Sequence, residues 1–147
     1  MKAKFKNIFT EGPVTPQKIA ESIAHHSSKT TIGGHSIFLG QVRADKSNSG
    51  EVVAIEYSAY EAMALEKAHE IREAAFLKYD LTCMHIYHSL GTVKAGEICL
   101  FVFTSSKHRK AAIEACSSIV EQIKSELPVW GKEITSNNDT VWKVNTK

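Results

Sequence analysis

A chain of 147 residues, 43% hydrophobic and 23% charged, can bury the core of one domain but not of two, so residues 1–147 are read as a single unit. A net charge of +2 and an isoelectric point near 8.4 do not supply the basic face that nucleic acid demands, and no run approaches the roughly 18 apolar residues of a membrane span. Neither nucleic acid nor a membrane is an expected partner.

The first stretch, "MKAKFKNIFTEGP", is basic but lacks the apolar run of an export signal. Its "KFKNIFT" portion predicts a short strand. Three cysteines, Cys83, Cys99 and Cys116, show no C-x-x-C spacing and sit in apolar runs. They point to core packing in a reduced, cytoplasmic setting rather than to a disulfide framework or a zinc site. "VTPQKIAESIAHH" then predicts a helix, with Thr15 as N-cap and Pro16 at the first helical position. Lys18 stands where a capping box would need an acid or amide.

"GGHSIFLGQVR" and "EVVAIEYSAY" are β-rich runs on either side of the polar loop Asp45–Glu51, and predict a hairpin or paired strands with the loop at one edge. From Glu61 to about Tyr79 the period becomes helical, with Ala64, Ala68, Ile71 and Ala75 on one stripe. "LTCMHIYHSLG" and "GEICLFVFTS" read as a central antiparallel pair turning at "TVKA". A helix from about Lys107 to Glu126 follows, burying Ala112, Ala115, Cys116, Ile119 and Ile123, and Pro128 stops it. The tail "KEITSNNDTVWKV" predicts a small C-terminal hairpin around Asn137–Asp139. The order β-α-β-β-α-β-β-α-β-β predicts an α+β fold, a mostly antiparallel sheet with helices covering one face.

Three places could carry chemistry. In "SSKHRK" a strand gives way to a helix that Ser105 or Ser106 can cap. The free N–H groups of that helix start, with Arg109 and His108 beside them, would seat an anion. A solvated basic turn is the competing reading, although cations in a first turn oppose the helix dipole. Lys124 falls beside the apolar stripe of its helix. Desolvation there would lower its pKa and make it a base or nucleophile, whereas a snorkelling lysine at a helix end would be purely structural. Arg43 ends a strand just before the mobile loop and could clamp a phosphate, or simply guard an edge strand. The histidines make no H-x-x-x-H spacing, and Gly-rich phosphate loops and nucleophile elbows are absent. The expectation is no metal and no cofactor.

Taken in order, "IFLGQVR", "IEYSAYEAMA", "HSLGTVKAGE", "SSKHRKAAIEAC" and "IKSELPVWGKE" resemble the catalytic large subunit of molybdopterin synthase, the MoaE family, over roughly Gly33 to Trp142. The resemblance implies a hammerhead-like α/β fold. It also implies a sulfurtransferase that converts cyclic pyranopterin monophosphate into molybdopterin for the molybdenum cofactor. Two sulfurs would come from the Gly-Gly thiocarboxylate of a small ubiquitin-like carrier subunit, and two large subunits would form a homodimer within a heterotetramer. By motif, Arg43, His108 and Arg109 would bind the pterin phosphate, and Lys124 would be the catalytic lysine. The family's lysine after the tryptophan is here Gly131, so Lys132 is taken as the second catalytic and substrate-binding lysine. "HSLG" has Ser89 where the family has arginine, and His88 alone is not expected to act. Lys143 and Lys147 would reach at most a neighbouring subunit's pocket. These assignments predict that Lys124, Arg43, His108 and Arg109 meet in one pocket lined by Pro128 and Trp130. A non-catalytic anion-binding or carrier-docking module is the alternative, and an RNA-binding sheet ranks last.

Overall fold

A computed structural model describes residues 5–143. Eleven elements follow one another: β1 (Phe9–Glu11), α1 (Pro16–His25), β2 (Gly34–Gln41), β3 (Lys46–Ser47), β4 (Gly50–Ala59), α2 (Glu61–Lys78), β5 (Cys83–Lys94), β6 (Ile98–Ser106), α3 (Arg109–Glu126), β7 (Val129–Thr135) and β8 (Thr140–Trp142). The main sheet runs β2-β6-β5-β4-β7-β8, with β1 added parallel to β5 and β3 paired with β4. All the other pairings are antiparallel. The α+β expectation is met. Among the described residues no helix is long and apolar enough to cross a membrane.

The central strands explain the layering. On β5 and β6, Met84, Ile86, Leu100 and Val102 turn to one side, where α2 and α3 bring Ala64, Ala68, Ile71, Ala75, Ala115, Ile119 and Ile123. The i, i+3/i+4 stripes read from the sequence are the buried faces of these helices. Phe101 and Phe103 turn to the other side, against Val14 and Ile19 at the start of α1. The helices therefore do not all cover one face: α1 packs on the second one. Phe101 and Phe103 have no exposed surface, so truncating either to alanine costs about 3–5 kcal/mol.

Local signals set the ends of α1 and the tail hairpin. The Thr15 hydroxyl accepts from the Lys18 amide at 3.2 Å, capping α1 with Pro16 at its first position. Asn138, at φ 61°, turns β7 into β8 where the hairpin was expected.

Two expectations about pairing need correcting. β2 and β4 do not pair; β2 lies at the sheet edge against β6, while β4 lies between β5 and β7. The Asp45–Glu51 loop is a tight β3–β4 hairpin instead. "TVKA" is mostly strand, because β5 bends at Gly91, at φ 80°, and changes partner. It pairs with β6 through His88 and with β4 from Gly91 to Lys94. The reversal falls at Gly96, at φ 91°.

Candidate active site

Lys124 lies in the last turn of α3 and enters a cavity of about 100 Å³ that Tyr57, His88, Leu127, Trp130, Gly131 and Lys143 also line. A groove of about 970 Å³, formed by the end of β2 and the outer side of α3, takes in Gln41, Arg43, Glu121, Lys124, Ser125 and Lys143. Lys124 and Lys143 belong to both, so the two lysines stand where the small cavity meets the wide groove.

The electrostatics follow from that placement. Lys124 is exposed as a whole residue, yet partial desolvation of its ammonium where it meets the cavity holds it below the ordinary lysine range; the Lys143 charge pushes in the same direction, and Cys99 opposes it. His88 is pushed down to about 4, first by burial and further by Lys124, although its bond to the Ser89 carbonyl works the other way. Its Nδ1–H donates to that carbonyl at 2.8 Å, which leaves Nε2 as the acceptor of a neutral ring. Tyr57 meets His88 edge-on at 5.3 Å between ring centroids. Burial, with smaller contributions from Cys99 and Glu133, raises the Tyr57 phenol, so it stays protonated. The site thus offers a titratable amine, a neutral imidazole and a phenol around one small, partly open cavity.

Gly131 makes the room. A β-carbon there would come within 2.9 Å of Ile55 Cγ2 and 3.2 Å of the Tyr57 ring. Its strand neighbour Lys132 points the other way by the two-residue period of a strand. Lys132 is registered with the exposed Glu56 and with Trp142, and its Nζ sits 5.3 Å from the Trp142 ring centroid. Lys132 is therefore absent from the Lys124 cavity lining. Lys143 enters instead, after its backbone N–H bonds to the Gly131 carbonyl at 2.8 Å. The sequence offered a signal for this in the β7–β8 hairpin, whose register returns residue 143 to residue 131.

Arg43 lines the groove beside Lys124, but the structure does not bring His108 and Arg109 to them. These two begin α3 while Lys124 ends it, a separation of about 22 Å at the α-helical rise. At the start of α3 the Ser106 hydroxyl donates to the His108 carbonyl and accepts from the Ala112 amide, whereas Ser105 bonds His35. His108 borders a shallow surface depression with Lys78, Asp80 and Lys110. Arg43 is ion-paired with Asp45 at 3.1 Å, both well exposed, so an incoming anion competes with a weak partner. Of the residues expected around the pocket, Trp130 lines it and Pro128 does not. The Ser89 hydroxyl is fully buried and has no hydrogen-bond partner among the described residues. Lys147 lies outside the described residues.

Residues 9–126, most of the chain, match the family model described as MoaE protein. The chain belongs to the MoaE family. A molybdopterin synthase catalytic subunit from Pyrococcus abyssi is 39% identical over 121 residues, 82% of this chain and 80% of that protein. The corresponding protein of Drosophila grimshawi is 41% identical over 116 residues, 77% of this chain but 32% of its own length, so this chain spans about a third of that longer MoaE relative. The molybdopterin synthase structure from Staphylococcus aureus superposes with a TM-score of 0.82 at 26% identity, covering 97% of this chain and all of that one. A complex of subunits 1 and 2 of the molybdopterin-converting factor from Helicobacter pylori shares the MoaE fold at a TM-score of 0.77 and 20% identity, over 91% of this chain and 87% of that one.

Proposed function

We propose that this MoaE-family chain is the catalytic subunit of a molybdopterin synthase, a sulfurtransferase that moves sulfur from a carrier's C-terminal thiocarboxylate to cyclic pyranopterin monophosphate. The observation that carries this reading is the Lys124–Lys143 junction. A groove of about 970 Å³ opens there onto a cavity of about 100 Å³ that an amine of lowered pKa enters. In this reading the carrier tail lies in the groove, with its thiocarboxylate between the two ammonium groups. Lys124 stabilises the negative charge that develops as sulfur adds to the pterin side chain, and as the free amine it accepts a proton. Arg43 takes an anionic substituent at the groove mouth, exchanging Asp45 for it. The free thiols, all three buried, suit a reduced cytoplasm.

The length of α3 adds a requirement. A seat at His108 and Arg109 serves the same substrate as Lys124 only if it comes from a second copy of the chain, which a homodimer within a heterotetramer supplies. Sulfur transfer from a thiocarboxylated carrier tests both points. Lys124→Ala is expected to lose about 100- to 10,000-fold in rate. Mixing Lys124→Ala chains with Arg109→Ala chains is expected to restore part of it. A folded, carrier-binding chain that makes no molybdopterin would leave a docking module in place of an enzyme.

A further inference from the structure

On the sheet face opposite Lys124, three soft donor atoms converge. Met84 and Ile86 of β5 face α2 and α3, so the alternate residues Cys83 and His85 face the side covered by α1. His26, the C-cap of α1, is 5% exposed, and its Nδ1–H donates to the Ser22 carbonyl at 2.7 Å. That bond fixes the tautomer and leaves Nε2 with its lone pair, 3.0 Å from His85 Nε2. Cys83 is 6% exposed and turns its Sγ to the same point, with Lys29 Nζ at 3.0 Å. The three donor atoms lie within 4.8 Å of one another.

We propose that His26, Cys83 and His85 form a binding site for a thiophilic transition metal ion, zinc in the first instance, with the fourth position left to water. Tetrahedral zinc holds nitrogen at about 2.0–2.1 Å and thiolate sulfur at about 2.3 Å, which puts its donors roughly 3.3–3.8 Å apart. The two imidazoles must part by a few tenths of an ångström, and the spread of up to 4.8 Å among the three donors must close by about 1 Å. The orienting shell is already built: a backbone carbonyl holds His26, as outer-shell acceptors hold metal-ligating histidines.

Proton bookkeeping gives the site a signature. Binding sends the Cys83 thiol proton to solvent and moves the His85 proton from Nε2 to Nδ1. Lys6 Nζ stands 3.1 Å from that nitrogen and must swing out into solvent. The ion would pin the end of α1 to the middle of the sheet, a structural role independent of sulfur transfer.

The test uses the full chain stripped with a chelator and titrated with Co(II) by absorbance, and with Zn(II) against a chromophoric chelator. The expected result is about one ion per chain with a thiolate-to-cobalt charge-transfer band. The band should vanish in Cys83→Ser, and zinc affinity should fall at least about 100-fold in Cys83→Ser and His26→Gln. Lys6→Gln should tighten zinc several-fold. No thiolate band in the unsubstituted chain, or an unchanged band in Cys83→Ser, overturns the proposal. If those variants do not fold, alkylation of the unsubstituted chain decides: zinc protecting Cys83 supports the site, and zinc protecting only Cys99 or Cys116 overturns it.

Discussion

Lys143 donates its backbone N–H to the Gly131 carbonyl at 2.8 Å, and through that ladder bond the chain sets a lysine side chain into the cavity that Gly131 leaves open. The second cation of the site thus comes from the returning arm of the hairpin. Replacing Lys143 with alanine should lower the sulfur-transfer rate by about 10- to 100-fold. Removing its charge also raises the Lys124 pKa, because Lys143 pushes it down. The limb of the pH–rate profile that reports the free amine should move to higher pH, and a profile shifted downward or not at all would refute the assignment.

Lys132→Ala should change the rate by less than about threefold, since its ammonium rests against Trp142 on the outer face and an exposed cation–π contact is worth roughly 0.5–1 kcal/mol. Steady-state kinetics of the two lysine variants side by side discriminate them. A large loss at 132 with none at 143 would reverse their roles.

His88 should make the fold acid-sensitive. Its pKa drops from 6.5 to about 4 on folding, so between those values the unfolded chain binds more protons. Stability is therefore complete above about pH 6.5, falls as pH drops toward 4, and levels off below that. The loss from this residue is on the order of 2–3 kcal/mol. Urea unfolding across that range should show the slope, and His88→Gln should flatten it. His85, also lowered to about 4 but more exposed, adds a smaller effect of the same sign.

Ser89→Ala should stabilise the protein by about 1 kcal/mol or leave it unchanged, because the hydroxyl is buried without a partner among the described residues and its removal relieves a desolvation cost. Thermal unfolding reads this directly. A clear destabilisation would reveal a bond to that hydroxyl.

Helical stripes were legible because a helix buries one face of local sequence: Ala64, Ala68, Ile71 and Ala75 all lie inward as read. Pairing was less legible. The β2–β6 and β4–β7 neighbours are fixed by long-range packing that local pattern does not encode. The expectation that Arg109 and Lys124 meet in one pocket overlooked that one uninterrupted helix joins them, which keeps them about 22 Å apart within one chain. Strand parity likewise separates Lys132 from Gly131. The histidine–cysteine cluster left no motif, because His26 and His85 stand 59 residues apart and meet only once α1 lies on β5.

The β7–β8 hairpin supplies Trp130, Gly131 and Lys143 to the Lys124 cavity, yet it comes last in the described chain, after the strands and helices of the core. During synthesis the amino-terminal parts emerge and begin to organise first. The ribosome therefore releases the residues of the core before the last residues that line the Lys124 cavity. The cavity around Lys124 is closed only when Lys143 has followed Gly131 out, so the proposed chemistry there is the last property the chain acquires.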